Sequence, residues 1–306
     1  MMSTDRLLTT GLVEEAALGC HMALVPSYDS DLPGWIHSLG TIEETFGSLS
    51  DFPDFAIDDE SKTLSVLNSS ESSRVVFITV EDCLCIGSDG VALTQGQSVS
   101  SKAIQLVTTF ILLTPPGSVL ELCSLKVSRK SLRRVKIDSH ISDAFIAPRV
   151  SDVFYLLQVY PFRTGEYLCT QSDFGAFTHF RHFSTSHAVD FRAPIGAEIV
   201  SVGVGLVSSV RKSAGGSGCH VRNLFDWSGV TLTLDSGWTV EYVHVGEIFV
   251  KEGDRVEAGQ LICLSGATGF CPEPHLHFQV SSKDGKPAQI LWKGSPFLAG
   301  SLYHSL

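Results

Sequence analysis

The stretch "VTLTLDSGWTVEYVHV", residues 230–245, alternates apolar and polar side chains on both sides of the four residues Asp235-Ser236-Gly237-Trp238. Alternation with period two is the signature of half-buried strands, and a short Asp/Ser/Gly cluster between two such runs makes a tight hairpin turn. The texture extends outward. "AEIVSVGVGLVSSV" (197–210) precedes it, and "FVKEGDRVEAGQLICLSG" (249–266) follows, with two turns packed into "EGDRVEAGQ" where Gly253 and Gly259 can take positive φ without a Cβ clash. Helical periodicity is absent from this half, so it is predicted to be an all-β domain.

Upstream, β-type runs of another texture occur: "VVFITVEDCLCIG" (75–87), "AIQLVTTFILL" (103–113), "SVLELCSLKV" (118–127) and "VFYLLQVY" (153–160). Gly, Pro and Ser signals separate them, the pattern of a small antiparallel sandwich. The sequence thus divides into three parts. Residues 1–60 form an irregular acidic segment with a short helix over 5–22. Residues 61–158 form a β-sandwich-like accessory domain, and 159–306 the second β domain.

Composition narrows the function classes. The chain has 306 residues, 43% of them hydrophobic, enough to bury a sizeable core. Lys+Arg 22 against Asp+Glu 33 gives a formal net charge of -11, which speaks against nucleic acid or anionic lipid as a partner despite the local run "KVSRKSLRRVK" (126–136). No stretch reaches the roughly 18 apolar residues of a membrane helix. The N-terminal stretch lacks a basic region, and Glu14 and Glu15 interrupt its apolar run, so no secretory signal is evident and a cytoplasmic location is the default expectation. Eight irregularly spaced cysteines then read as reduced thiols, with Cys83 and Cys85 on a buried strand. Cys219 and His220 offer soft ligands, but their glycine-rich loop reads as a groove wall or an exposed tip. Turns of the "VKEGDRVEAG" kind also occur in lipoyl and biotinyl carriers, yet neither Lys212 nor Lys251 sits in a carrier signature.

Candidate chemistry concentrates in "PEPHLHFQV" (272–280). On a strand, His275 and His277 stand on one face and Leu276 and Phe278 on the other. An isolated H-x-H is more often a pair of structural histidines. Here it is the last of four ordered motifs: "HAVDFRAPIGAEIVSVGVGLVSSV" (187–210), the hairpin quoted above, "VKEGDRVEAGQLICLSGATG" (250–269) and "PHLHFQV" (274–280).

In that order and approximate spacing, over residues 160–282, they resemble the lysostaphin/LytM-type zinc endopeptidases. The resemblance implies a twisted antiparallel β domain with a groove, one Zn2+ at its floor, and hydrolysis of peptide bonds in peptidoglycan or glycine-containing peptides. Residue by residue, it assigns Asp190 and His277 as zinc ligands, His275 as the unligated catalytic histidine and His244 as the second active-site histidine. That pattern leaves a fourth position for water, with a neutral imidazole beside it as general base. His244 would hydrogen-bond the developing oxyanion or orient the attacking water.

The third ligand departs from the commonest family pattern, which places a histidine four residues before the aspartate, where this chain has Ser186. "GAFTH" (175–179) resembles a variant version and nominates His179, with His182 and then His187 as rivals. The competing reading is a catalytically inactive relative that binds peptidoglycan or a protein partner. Whether a histidine from 179–187 closes the site decides between the two.

Overall fold

The computed structural model describes residues 21–25, 54–127 except 59, 89, 91, 94, 101 and 102, then 135–144, 152–156, and 159–304 except 176, 180 and 181. The helix expected over 5–22 lies outside the described residues, apart from its last two positions. Those two belong to the strand His21–Val25, whose backbone pairs with the long strand Ala103–Thr114. The described residues are mainly β, and they divide into two compact units.

One unit comprises the described residues up to 144 together with 216–224. Its first sheet sets His21–Val25, Ala103–Thr114, Arg74–Glu81 and Lys136–Asp143 side by side, with Gln95–Ser100 also pairing with Ala103–Thr114. Its second runs Asp54–Ile57, Thr63–Asn68, Ser118–Lys126, Leu84–Ile86. Alternation fixes which side chains go inward: Val76, Ile78, Phe110 and Leu112 from one sheet share a core with Leu64, Val66 and Leu125 from the other. Cys83 and Cys85 are buried there, as expected of a strand and its margin. The 216–224 segment corrects the expectation of an exposed tip. Cys219 and His220 are buried. The Cys219 carbonyl accepts from Thr109 Oγ1 at 2.6 Å and the Val221 amide donates to Thr79 Oγ1 at 3.0 Å, bonds that satisfy polar backbone with nearby hydroxyls.

The other unit comprises the described residues of 152–215 and 225–304. Its eight-stranded sheet runs Arg255–Val256, Gly205–Arg211, Gly229–Leu234, Thr239–Val243, His275–Ser281, Val189–Arg192, Glu166–Gln171, Leu302–His304, antiparallel throughout. The hairpin over 230–245 forms as its alternation dictates, with Val230, Leu232, Leu234, Val240 and Tyr242 in the core and Gly237 at φ 87° in the turn. Gly253 and Gly259 also take positive φ. A second, three-stranded sheet sets Glu198–Val200, Leu261–Ser265 and Val245–Ile248 together.

The run "VFYLLQVY", read above with the accessory sandwich, behaves differently: Asp152–Leu156 pairs in parallel with Ala288–Trp292. Its inward residues explain this. Phe154 and Leu156 are buried in the same core as Tyr242 and Phe278, and the Phe154 ring meets Trp238 edge-on at 5.5 Å. A local pattern specifies a strand but not its partner.

At the centre, Leu276, Phe278 and Val280 point into the core while His275, His277 and Gln279 occupy the opposite face of the same strand. Phe278 is fully buried and lies opposite Tyr242 in register. Replacing it with alanine is expected to cost about 3–5 kcal/mol by loss of apolar burial plus the cavity left behind. Denaturant unfolding checks this, and a loss below about 1 kcal/mol would mean that this face is not the core.

Candidate metal centre

Three adjacent strands bring the candidate residues together. Asp190 lies directly opposite His277 across the Val189–Arg192/His275–Ser281 pair, and Val243 lies opposite His277 on the other side, with His244 next in the chain. Because strand side chains alternate, Asp190, His275 and His277 emerge on one face. His244 is held at φ 64°, a conformation rare for a residue with a Cβ, between the strands Thr239–Val243 and Val245–Ile248. Gly266 allows this close fit: a Cβ there would stand 2.8 Å from the His244 carbonyl oxygen and 2.7 Å from the Gly246 nitrogen.

His179 arrives from a loop. Gln171 organises it by accepting from the amides of Phe177, Thr178 and His179 at 3.2, 2.7 and 3.2 Å while donating to Asp190 Oδ2 at 2.7 Å. Gly175 makes room, since a Cβ would fall 2.1 Å from Gln171 Cγ. The rivals go elsewhere. His182 is exposed and caps the short 3-10 turn Phe183–Thr185, while His187 is buried against Phe174 with Nδ1 3.1 Å from Asp173 Oδ1. Ser186, at the position of the missing histidine, bonds to the Phe183 carbonyl.

Carbonyl oxygens only accept, so a ring nitrogen beside one must carry the hydrogen. His179 Nδ1 faces Ser172 O at 3.0 Å, His244 Nδ1 faces Thr268 O at 2.6 Å, and His275 Nδ1 faces Glu273 O at 2.8 Å. In its neutral form each of these rings carries its hydrogen on Nδ1 and presents a bare Nε2. His277 is turned the other way, with Nε2 3.0 Å from Gln279 Oε1 and Nδ1 2.9 Å from Asp190 Oδ1.

The result is a buried convergence of acceptors. His179 Nε2 is 3.2 Å from Asp190 Oδ2 and has no hydrogen-bond partner. His179, Asp190 and His277 each offer a ligand atom, all within 4.8 Å of one another. At these distances the ring nitrogens and the carboxylate need a positive charge between them, a shared proton or a metal ion, and two imidazole nitrogens with one carboxylate is a donor set of catalytic zinc sites. The residues fit a metal ion.

Burial disfavours the charged form of Asp190, yet His179, His275 and His277, when protonated, hold its carboxyl well below the usual carboxylate range. Burial, then the neighbouring His275 and His277, pushes His244 well below the usual imidazole range. Burial alone would lower His277, but Asp190 and its bond to Gln279 leave it raised. His275 Nε2 lies 3.8 Å from Asp190 Oδ1, its ring 4.5 Å from that of His244. Asp190, His244, His275 and His277 line a pocket together with Thr170, Phe177, Phe270, Pro272 and Glu273, among others, and Arg192 Nε ties Glu273 down at 2.6 Å.

A second group, Glu81, Asp138 and His220, also brings ligand atoms close, in the other unit. Positive charge is already supplied there: Arg222 Nη1 is 3.6 Å and Lys136 Nζ 3.8 Å from Glu81. His220 Nδ1 accepts from the Arg222 amide, so its Nε2 carries the hydrogen and donates to Glu81. This is an ion-pair network complete without a metal.

Sequence reading missed Gln171, Gln279 and Glu241. Gln279 could have been found by extending the H-x-H alternation one step, and Glu241 by the hairpin register. Gln171 carries no local signal.

Residues 184–290 match the family model described as Peptidase family M23. The peptidoglycan DD-endopeptidase ShyB of Vibrio cholerae is 38% identical over 96 residues, 31% of this chain and 20% of that protein. Lysostaphin of Staphylococcus simulans is 35% identical over 119 residues, 38% of this chain and 22% of that one. The chain thus spans about a fifth of the length of these curated relatives. The solved catalytic domain of S. simulans lysostaphin is 25% identical and covers 41% of this chain and 88% of its own, with a TM-score of 0.30. His179 lies just before the matched stretch, whereas Asp190, His244, His275 and His277 all lie within it. Over residues 184–290, about a third of its length, this chain is similar to Peptidase family M23.

Proposed function

We propose that this chain is a zinc-dependent endopeptidase that cleaves peptide bonds in peptidoglycan or glycine-containing peptides. The observation that carries the reading is the buried convergence of His179 Nε2, Asp190 and His277 Nδ1, whose ligand atoms lie within 4.8 Å of one another, beside two more imidazoles, His244 and His275, whose Nδ1 atoms face backbone carbonyls. The family match and the names of the relatives support the substrate class. The inactive-module alternative rested on Ser186, and it weakens because His179 supplies a third donor from the preceding loop.

When bound, zinc supplies a Lewis acid that polarises a carbonyl and makes water acidic. His275 Nε2 then takes the proton of the attacking water and returns it to the leaving amide nitrogen, while its Nδ1–H bond to Glu273 O keeps the ring in the accepting tautomer. His244 is neutral, and its Nδ1 hydrogen is committed to Thr268 O. Its Nε2 can only accept, which suits orienting the water rather than donating to an oxyanion. Gln171 keeps Asp190 and the His179 loop in place.

Elemental analysis of the purified protein is expected to find one zinc per chain, lost in Asp190→Ala and His179→Ala and kept in His182→Ala and His187→Ala. Zinc surviving Asp190→Ala at full occupancy would refute the site. His275→Ala should keep its zinc while kcat on a glycine-containing cell-wall peptide falls about 10²–10⁴-fold. Full activity in that variant would overturn the proton-transfer role. NMR titration of His244 should find the ring neutral as pH falls through the ordinary imidazole range, because a lowered pKa extends the neutral form to lower pH. Protonation at or above the ordinary value would contradict its accepting role.

A further inference from the structure

Gln279 and Glu241 lie in one line with the centre. In register, Glu241 is directly opposite Gln279 on one neighbouring strand, and Asp190 is directly opposite His277 on the other. His277 and Gln279, two residues apart, share a face. The side chains then meet in sequence: Glu241 Oε2 accepts from Gln279 Nε2 at 2.8 Å, Gln279 Oε1 meets His277 Nε2 at 3.0 Å, and His277 Nδ1 meets Asp190 Oδ1 at 2.9 Å.

A glutamine amide can be reversed, and the two orientations have opposite consequences. With Oε1 toward the ring, a neutral His277 must carry its single hydrogen on Nε2, and the Nδ1 lone pair faces Asp190 and any cation held there. With Nε2 toward the ring, Gln279 would donate to His277 Nε2. The hydrogen would then move to Nδ1, bond to the Asp190 carboxylate, and remove a metal donor. The second orientation is locally attractive to Asp190, so His277 alone does not decide between them. Glu241 does. A carboxylate only accepts, and the reversed amide would set Gln279 Oε1 against Glu241 Oε2 at a distance where two acceptors repel.

From this the geometry points to Glu241 and Gln279 as positioning residues that select the Nε2–H tautomer of His277 and so keep its Nδ1 free for a metal ion. The inference rests on the zinc-site reading above and adds to it what holds the ligand in a binding state. Neither residue touches the reacting atoms. An outer carboxylate acting through a polar group to fix a ligating imidazole is a recognised way of tuning a metal site, and its loss generally costs about 10–100-fold in metal affinity.

The test uses the full chain and three variants. Gln279→Leu removes the relay. Glu241→Lys presents a donor to Gln279 and so turns the amide around. Glu241→Gln can still present an oxygen to Gln279 Nε2 and is the conservative control. Zinc affinity is measured by chelator competition, and the His277 tautomer by ¹⁵N NMR of the metal-free protein in alkaline buffer, where the ring is neutral. Thermal melting of the metal-free forms monitors folding.

Wild type is expected in the Nε2–H form, with zinc affinity reduced about 10–100-fold in Gln279→Leu and Glu241→Lys and close to wild type in Glu241→Gln, at similar melting temperatures. An Nδ1–H tautomer in wild type overturns the inference, as does wild-type zinc affinity in both Gln279→Leu and Glu241→Lys. The parent reading fails separately, if wild type takes up no zinc or Asp190→Ala binds it as tightly. The NMR result still decides the tautomer in that case.

Discussion

A carboxylate buried among imidazole lone pairs is the constraint around which this domain is arranged. Asp190 is 5% exposed, has a bare His179 Nε2 at 3.2 Å and His277 Nδ1 at 2.9 Å, and receives a hydrogen bond from Gln171. So much acceptor character in so little water is costly without a compensating positive charge. Most of the surrounding polar structure makes sense as a means of holding these acceptors apart from any other donor. Three histidines are locked by backbone carbonyls and one by a glutamine, each ring turned so that a lone pair enters the same space. The Glu81–His220 group makes the contrast: there Arg222 and Lys136 already supply the charge, and the histidine nitrogens are committed.

The sheet supplies the precision. Asp190, His277 and Glu241 stand on three consecutive strands whose register is pinned from below by Phe191, Leu276, Phe278 and Tyr242, all fully buried. A one-residue slip of the His275–Ser281 strand would carry its histidines into the core and Leu276 and Phe278 into the site. The hydrophobic face thus fixes the polar one. Elements outside the sheet are held by other means: Gln171 gathers the His179 loop, and positive φ at His244 turns its ring toward the pocket.

How much of this the amino-acid sequence discloses follows the range of the interactions. The 230–245 hairpin and the shared face of His275 and His277 are local, set by period-two alternation, and both are plain in the sequence. Pairing of Asp190 with His277 spans 87 positions and was legible only through resemblance. His179 was legible as one of three candidates, because a loop has no period and its path depends on a glutamine that no motif marks. The run 153–160 reads as a strand of the accessory domain but pairs elsewhere, and His220, read as part of a groove wall or an exposed tip, is buried by residues distant in the chain. His244 is legible through the motif, while the backbone twist that aims its ring is visible only in the structure.

The central claim is that His179, Asp190 and His277 together hold one zinc ion, the first histidine through Nε2 and the second through Nδ1. The most direct measurement is a zinc-edge anomalous difference map from crystals of the protein grown with zinc. The account predicts a single strong peak between those three side chains, with His275 and His244 outside bonding distance and one coordination position left open. A peak at Glu81, Asp138 and His220 instead, or one in which His182 or His187 replaces His179, would contradict it.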